Sequence, residues 1–235
     1  MTREFYNAML AAAVTVEQPI DGQTGVWIKA GDTIVSSGMT LTGVTVDPRQ
    51  TMYVYNRGVA TSINVSSGGI MYVSSGGTAT GALIYSGGTA NVYGALANAS
   101  AVEMGTYITV YSGGIASDTV MLFGQLLVSS GGFANSVFLS GTAPASRGIL
   151  NLRDGGSANN VTAARGENVY ANGSVTDLTI NGNGAVAYLR SPCVASGVSV
   201  VSGTLVVSSG ASALAVTSGA NTTVTVRDGG YIEYA

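Results

Sequence analysis

The stretch INVSSGGIMYVSSGGTATGALIYSGGTANVY, residues 63–93, repeats a Ser-Gly-Gly corner beside short segments rich in valine, isoleucine and tyrosine. Apolar residues recur at every second position of these segments, which is the pattern of a β-strand with one buried face. Glycine adopts the positive φ that a tight corner between strands requires. The stretch therefore predicts short strands and tight corners. Helices are excluded because the apolar spacing is two and each helix would contain glycines.

The same pattern extends along nearly the whole chain with a period of about nineteen residues. One interval is longer than the rest and contains the loop SGTAPASRG, residues 140–148. The central apolar residues of the successive segments, called anchors below, are Val35, Val54, Val73, Val92, Val110, Val128, Leu152, Val169, Leu189, Val207 and Val226.

Apolar residues also dominate four columns at fixed distances from the anchors: two positions before, and six, nine and eleven positions after. A propeller blade needs roughly 40–45 residues, which is too long for this period. A β-sandwich would alternate without keeping fixed columns. The sequence therefore predicts an all-β fold, a single-stranded parallel β-helix of about eleven coils stacked about 4.8 Å apart.

The domain organisation follows from where this register begins. Residues 32–235 form the predicted repeat domain, and residues 1–31 form a predicted N-terminal cap segment with a short helix over about residues 3–13. A cap is expected because the end coils of a solenoid expose unpaired strand edges. The N-terminus does not read as a signal peptide, and no stretch approaches the ~18 apolar residues of a membrane span.

Composition excludes several classes of function. The net charge is −3 and only 9% of residues are charged, so the basic stripe that nucleic-acid binding needs is missing. The sequence contains no histidine and its acids are scattered, so no metal, cofactor or catalytic residue is predicted. The one cysteine, Cys193, is expected to be a small buried side chain.

Polysaccharide-cleaving β-helix enzymes are the most specific enzymatic alternative. Such enzymes need two carboxylates about 5–9 Å apart. Asp154 and Asp228 share a column but lie four coils apart, which is about 19 Å at the β-helix rise. Glu103 is predicted in an inward column, with Asp118 one coil further on at a different offset. Neither arrangement makes an acid–base pair, so the sequence predicts that the protein is not an enzyme.

One outward face collects tyrosine and arginine, the residues enriched in binding interfaces. Two interpretations stay open: tyrosine simply favours exposed strand positions and stacks on itself, or the face is a flat contact surface for a carbohydrate or a neighbouring protein. The candidate contact residues are Tyr53, Tyr55, Tyr72, Tyr93, Tyr111, Tyr170, Tyr188, Arg153, Arg190 and Arg227.

Two runs carry a family resemblance: MYVSSGGTATGALIYSGGTANVYG (71–94) and ITVYSGGIASDTVMLFGQLLVSSGGFANSVFLSG (108–141). They resemble the nineteen-residue passenger repeats of AIDA-type autotransporter adhesins. The resemblance implies a right-handed β-helix, a secreted glycoprotein and O-heptosylation of serines by a dedicated glycosyltransferase. The candidate acceptors it implies are Ser66, Ser74, Ser129 and Ser208, with Ser67, Ser75, Ser86, Ser112 and Ser130 beside them.

The resemblance further implies a structural module for cell adhesion, located outside the cell or at the bacterial cell surface. Its expected partners are a host-cell or bacterial surface, a carbohydrate, or a second copy in autoaggregation. A trimeric β-helix like that of a phage tail-spike or fibre is the alternative from a different class, and a polysaccharide-active enzyme is the third.

Overall fold

The computed structural model describes residues 31–141 and 147–235, and within these ranges the protein contains strands and no helix. The predicted cap and its helix lie outside the described residues, apart from Gly31. The strands of the first half are β1 (Thr33–Val35), β2 (Thr40–Thr42), β3 (Thr45–Val46), β4 (Thr51–Val54), β5 (Val59–Val65), β6 (Ile70–Val73), β7 (Thr78–Ile84), β8 (Thr89–Val92), β9 (Ala95–Ala97), β10 (Ser100–Ala101), β11 (Tyr107–Val110) and β12 (Ile115–Met121). Those of the second half are β13 (Gly124–Val128), β14 (Phe133–Leu139), β15 (Gly148–Leu152), β16 (Ser157–Ala164), β17 (Asn168–Ala171), β18 (Ser174–Leu189), β19 (Val194–Val207), β20 (Ser212–Ser218), β21 (Thr222–Val226) and β22 (Tyr231–Tyr234).

Every pairing between these strands is parallel and joins one coil to the next. Val54, for example, pairs with Val35 on one side and with Val73 on the other. Val92 pairs with Val110 in the same way, so successive anchors lie side by side in neighbouring coils. The predicted parallel β-helix is therefore confirmed, as a solenoid of about ten turns where eleven were expected.

Each coil contributes to three flat faces. The first face holds the strands that end at the anchors, such as β4 and β6. The second face holds the first three residues of strands such as β5 and β7, and the third face holds the last three. All three faces run the length of the rod because each strand pairs with its equivalents above and below.

The core is a set of parallel columns of buried side chains inside these faces. Val54, Val73 and Val128 are completely buried, as the repeat predicts. The column two positions earlier includes large side chains such as Met52 and Leu126. Alanine dominates the buried column on the second face. The buried column on the third face ends in larger residues such as Ile84 and Leu139, so each layer combines large and small side chains.

Each Ser-Gly-Gly corner requires its two glycines for different physical reasons. The first glycine adopts a left-handed backbone, with φ of 74° at Gly76 and 72° at Gly131. The second glycine has no room for a side chain: a Cβ on Gly132 would lie 2.7 Å from the Val110 carbonyl oxygen of the coil before. The dipeptide therefore lets the chain turn sharply while successive corners stay in contact.

A third bend separates the second face from the third, and the sequence did not predict its geometry. One residue of each coil adopts a left-handed backbone there, with φ between 50° and 71°. Short polar residues and glycine tolerate this conformation best. The bend residues are Gly43, Ser62, Gly81, Asn98, Asp118, Ser136, Asn160, Asp177, Gly197 and Ala215.

Two short corners shift the strands relative to the predicted series of anchors. The coils that begin at β8 and β17 turn through Tyr93-Gly94 and Asn172-Gly173 in place of a longer corner. Ala171 pairs with Leu152 and Leu189, so Ala171 is the anchor of its coil and Val169 stands two positions before it. Leu96, not Asn98, likewise occupies the buried column of the second face.

Candidate functional site

Each Ser-Ser-Gly-Gly unit presents its two serines in two different environments: the units at 74–77 and 129–132 turn from the first face to the second, and the unit at 66–69 turns from the third face to the first. The first serine is tied to the coil before: the Ser74 N–H donates to the Val54 carbonyl oxygen at 2.8 Å, and the Ser74 carbonyl accepts the Gly77 N–H at 2.8 Å. The second serine, Ser75, stands at the tip of the corner and is exposed. The geometry therefore separates a half-buried serine from a fully accessible one.

This separation holds for every serine that the resemblance singles out. The half-buried candidates are Ser66, Ser74, Ser129 and Ser208. The exposed serines at the second corner position are Ser67, Ser75, Ser86, Ser112, Ser130 and Ser209. The second set is the more accessible to an enzyme that modifies serines, although the hydroxyl groups of Ser112 and Ser130 lie beside the glycines of the next corners, Gly131 and Gly155.

The tyrosines among the candidate contact residues form three separate stacks. The rings of Tyr53 and Tyr72 are 5.5 Å apart and nearly parallel, and Tyr93 and Tyr111 are 4.3 Å apart. The Tyr111 hydroxyl donates to Oδ1 of Asn91 at 3.3 Å. Because the rings stack along the rod axis, they cover one another's faces and turn their edges and hydroxyl groups outward. The face is thus a surface of hydrogen-bonding groups more than of open aromatic planes.

Two of the tyrosines differ from the prediction. Tyr55 is not available for contact: it is only 4% exposed, with its ring stacked 6.0 Å from that of Tyr53. Tyr170 lies on the first face, but before the anchor of its coil and not after it, because of the register shift at Ala171. This position lets Tyr170 pair with Tyr188, and their ring centroids are 5.2 Å apart.

The arginines follow the tyrosines in the C-terminal half. Arg153, Arg190 and Arg227 are exposed. The Arg190 guanidinium carbon lies 5.0 Å from the ring centroid of Tyr170 and 5.8 Å from that of Tyr188, within the range of cation–π contact. Beside Arg153, a shallow polar depression is lined by Ser130, Asn151, Arg153, Asp154 and Asn172.

The acids weighed for the enzymatic alternative, Asp118, Asp154, Asp228 and Glu103, are all exposed. The Glu103 carboxylate accepts the backbone N–H of Ser86 at 3.1 Å, so its predicted inward position is wrong. The reason is the short corner at Gly94, which places Ala101 in the inward column that Glu103 was expected to occupy. Among residues 31–141 and 147–235, no group of three or more acids or cysteines could hold a metal ion.

Glu167 carries a carboxyl group that the rod encloses. Its side chain is completely buried against the corner at Gly148. Burial raises the pKa of Glu167 to about 7, although the peptide groups of Gly141 and Gly148 and the Arg147 guanidinium act in the opposite direction. The repeat pattern places Glu167 in the inward column two positions before Val169, so the burial of its side chain agrees with the pattern, although an acid departs from the apolar residues of that column.

Cys193 is completely buried, and burial raises the pKa of its thiol to about 12. A thiol with so high a pKa carries almost no thiolate at neutral pH. The structure therefore places Cys193 as an unreactive core residue, as predicted.

Comparison with known proteins gives structural similarity but no family match. No protein-family model and no curated protein matches the chain. Among solved structures, the chain is similar to a TibA fragment described as hyper-glycosylated in a reaction catalysed by TibC, with a TM-score of 0.63 and 28% sequence identity over 91% of this chain and 93% of that one. The Streptococcus pneumoniae surface protein and adhesin PfbA aligns at a TM-score of only 0.20 with 8% identity over 88% of this chain and 92% of that one.

Across the described ranges, no helix is long and apolar enough to span a membrane.

TibA is an AIDA-type autotransporter adhesin, and the matching fragment belongs to its passenger. The resemblance first seen in the Ser-Gly-Gly repeats thus extends to the three-dimensional structure: this chain is a β-solenoid similar over nine-tenths of its length to an AIDA-type adhesin passenger.

Proposed function

We propose that the chain is a structural module of a bacterial surface adhesin, which mediates attachment or autoaggregation and carries sugars on its corner serines. The observation that carries this proposal is the similarity to the hyper-glycosylated TibA fragment over 91% of the chain. The fold supports it physically, because a rod with three flat faces offers a long outer surface for contact with a cell or with a second copy.

The corners support the glycosylation part of the proposal. Ser75, Ser112 and Ser130 are exposed beside a glycine, so a transferase reaches each hydroxyl without displacing a neighbouring side chain. The candidate acceptors Ser74, Ser129 and Ser208 are half-buried and rank behind them. The low density of charge also fits a surface that sugars cover, since few ion pairs would be disturbed.

Co-expression of the chain with TibC tests the glycosylation. Peptide mapping by mass spectrometry is expected to find hexose- or heptose-type additions on the exposed second serines in preference to the half-buried first serines. The matched variants are Ser75→Ala with Ser112→Ala, which remove additions, and Ser74→Ala with Ser129→Ala, which leave most of them. Unmodified protein after verified TibC activity would contradict this part.

Surface display tests the adhesive part. Bacteria that display the chain on an inert outer-membrane anchor are expected to settle from suspension or to attach to epithelial cells more than bacteria that display the anchor alone. Display confirmed by an antibody, with neither behaviour, would contradict the proposal.

A further inference from the structure

A regularly spaced column of arginines runs along the first face in the C-terminal half of the rod. Arg153, Arg190 and Arg227 each follow an anchor directly, and the backbone N–H of each donates to a carbonyl of the preceding coil at 2.8–2.9 Å. Asn172 and Ser208 occupy the same position in the coils between them. The arginines therefore recur at every second coil, which places them about 10 Å apart at the spacing of β-sheet strands.

The surroundings of this arginine ladder, defined as Arg153, Arg190 and Arg227, are neutral apart from two acids at its corner. Asp154 and Asp228 follow the outer two arginines by one residue, whereas Ser191 follows the central one. The other outward residues of the first face in these coils are uncharged: Ile149, Asn151, Asn168, Tyr170, Asn172, Val186, Tyr188, Thr204, Val206, Ser208, Thr223 and Thr225. Asn168 and Val206 are buried, so the face presents cations, hydroxyl and amide groups and a few apolar side chains to a ligand.

The central arginine is also held in place before any ligand arrives. Its guanidinium lies 5.0 Å from the Tyr170 ring centroid and 5.8 Å from that of Tyr188. A cation restrained by aromatic rings loses less side-chain entropy on binding than a free arginine does. Arg190 is therefore the arginine whose loss should weaken binding most.

We infer that the arginine ladder binds a linear polysaccharide that carries a carboxylate on alternate sugars. Guanidinium groups bind carboxylates through paired, charge-assisted hydrogen bonds. A pyranose unit in an extended β-linked chain is about as long as the rise of one coil. A chain with alternate acidic sugars therefore carries its charges at the spacing of two coils, and the neutral sugars between them face Asn172 and Ser208.

This inference rests on the proposed function, because it names the partner of the adhesive face. Host glycosaminoglycans and bacterial exopolysaccharides share the alternating-acid chemistry. The neutral amide and hydroxyl groups of Asn151, Asn172 and Ser208 favour a sugar chain over a nucleic acid, whose phosphates are spaced without regard to this register.

Hyaluronan oligosaccharides of fixed length, titrated into the full chain by calorimetry, test the inference. Hyaluronan is expected to bind, and neutral chitin oligosaccharides of equal length are not. Arg190→Ser is expected to weaken hyaluronan binding about fivefold, the upper range for one exposed ion pair. Arg165→Ser makes the same charge change at an exposed position on a different corner and should leave binding unchanged.

A swapped variant tests whether binding depends on the spacing of the arginines or only on the net charge of the chain. Arg190→Ser combined with Ser208→Arg keeps the composition and the net charge but moves the central cation by one coil. The ladder predicts a loss as large as that of Arg190→Ser alone, with an unchanged melting temperature. Wild-type affinity in the swapped variant, or equal binding of a single-stranded oligonucleotide of matched charge, would overturn the inference and leave only general attraction of polyanions.

Surface display then distinguishes this inference from the proposed function. Bacteria that display the swapped variant and still attach would leave the adhesin proposal standing while the ladder is shown not to serve it. Bacteria that display the wild-type chain and fail to attach, although the purified chain binds hyaluronan, would remove the proposed function and keep the ladder. If wild-type bacteria attach to epithelial cells through the ladder, treating those cells with hyaluronidase removes attachment when the host supplies the polysaccharide and leaves it unchanged when the bacteria supply it.

Discussion

Glu167 shows at the scale of one residue how the rod accommodates a buried acid. Its carboxylate occupies the space beside Gly148, where a Cβ on the glycine would lie 3.1 Å from Oε2. A buried carboxylate is costly unless it is protonated or paired, and burial accordingly raises the pKa of Glu167 to about 7.

The raised pKa predicts that stability falls as pH rises. The unfolded chain releases the Glu167 proton near pH 4.5, whereas the folded chain holds it until about pH 7. The free energy of unfolding should therefore decrease between these values by about 3 kcal/mol and stay level above them. Urea denaturation of Glu167→Gln should lack this decrease, and exposed Glu103→Gln should retain it. A slope that is equal in wild type and Glu167→Gln would contradict the assignment.

The left-handed bends predict that two substitutions change the free energy of unfolding in opposite directions. Ala215 has a φ of 50° and Gly81 a φ of 67° at equivalent positions of different coils. A side chain in this conformation costs roughly 1 kcal/mol, so Ala215→Gly should raise the free energy of unfolding and Gly81→Ala should lower it by about that amount. Thermal denaturation of both variants measures the two changes, and shifts of the same sign would contradict the backbone geometry.

At the scale of a strand, alternation decides which residues hold the coils together. Leu126 and Leu127 are neighbours in β13, but Leu126 is completely buried and Leu127 lies on the outer surface of the first face. Leu126→Ala should cost about 2–5 kcal/mol, because it opens a cavity in a packed column. Leu127→Ala should cost less than about 1 kcal/mol. Urea denaturation that gives equal losses would mean that the strand is turned the other way.

Strands and corners are also where the sequence was most informative. The anchors from Val35 to Val128 were predictable, because a period of about nineteen residues with inner alternation has one simple physical solution. Ala171 was missed because Val169, two positions earlier, is more hydrophobic and hides a shortened corner. The burial of Tyr55 was missed since tyrosine suits both exposed and buried positions. The bend residues were not predicted, because glycine, serine, asparagine and aspartate all occur at this position and no sequence motif marks it.

At the scale of the whole molecule, parallel stacking turns a one-dimensional repeat into continuous surface features. The corner serines of several coils form a discontinuous ridge, and one arginine in every second coil forms a ladder along the C-terminal half of the rod. Local changes in coil length do not disturb this arrangement: the coil between Val128 and Leu152 is longer than its neighbours, yet these two anchors pair as directly as Val110 and Val128 do. The proposed sugars and the proposed polysaccharide site both depend on that regularity.

Electron–electron distances between spin labels test this stacking most directly. Labels on cysteines introduced at Ser208, Ser129 and Ser74 mark the same corner of three coils, and the buried Cys193 thiol should stay unlabelled. The stack predicts about 19 Å from Ser208 to Ser129 and about 34 Å from Ser208 to Ser74, a rise of about 4.8 Å per coil whatever the length of each coil. Distances that depart from these two values by more than the reach of the labels, or that fail to increase from the first pair to the second, would contradict a continuous parallel solenoid.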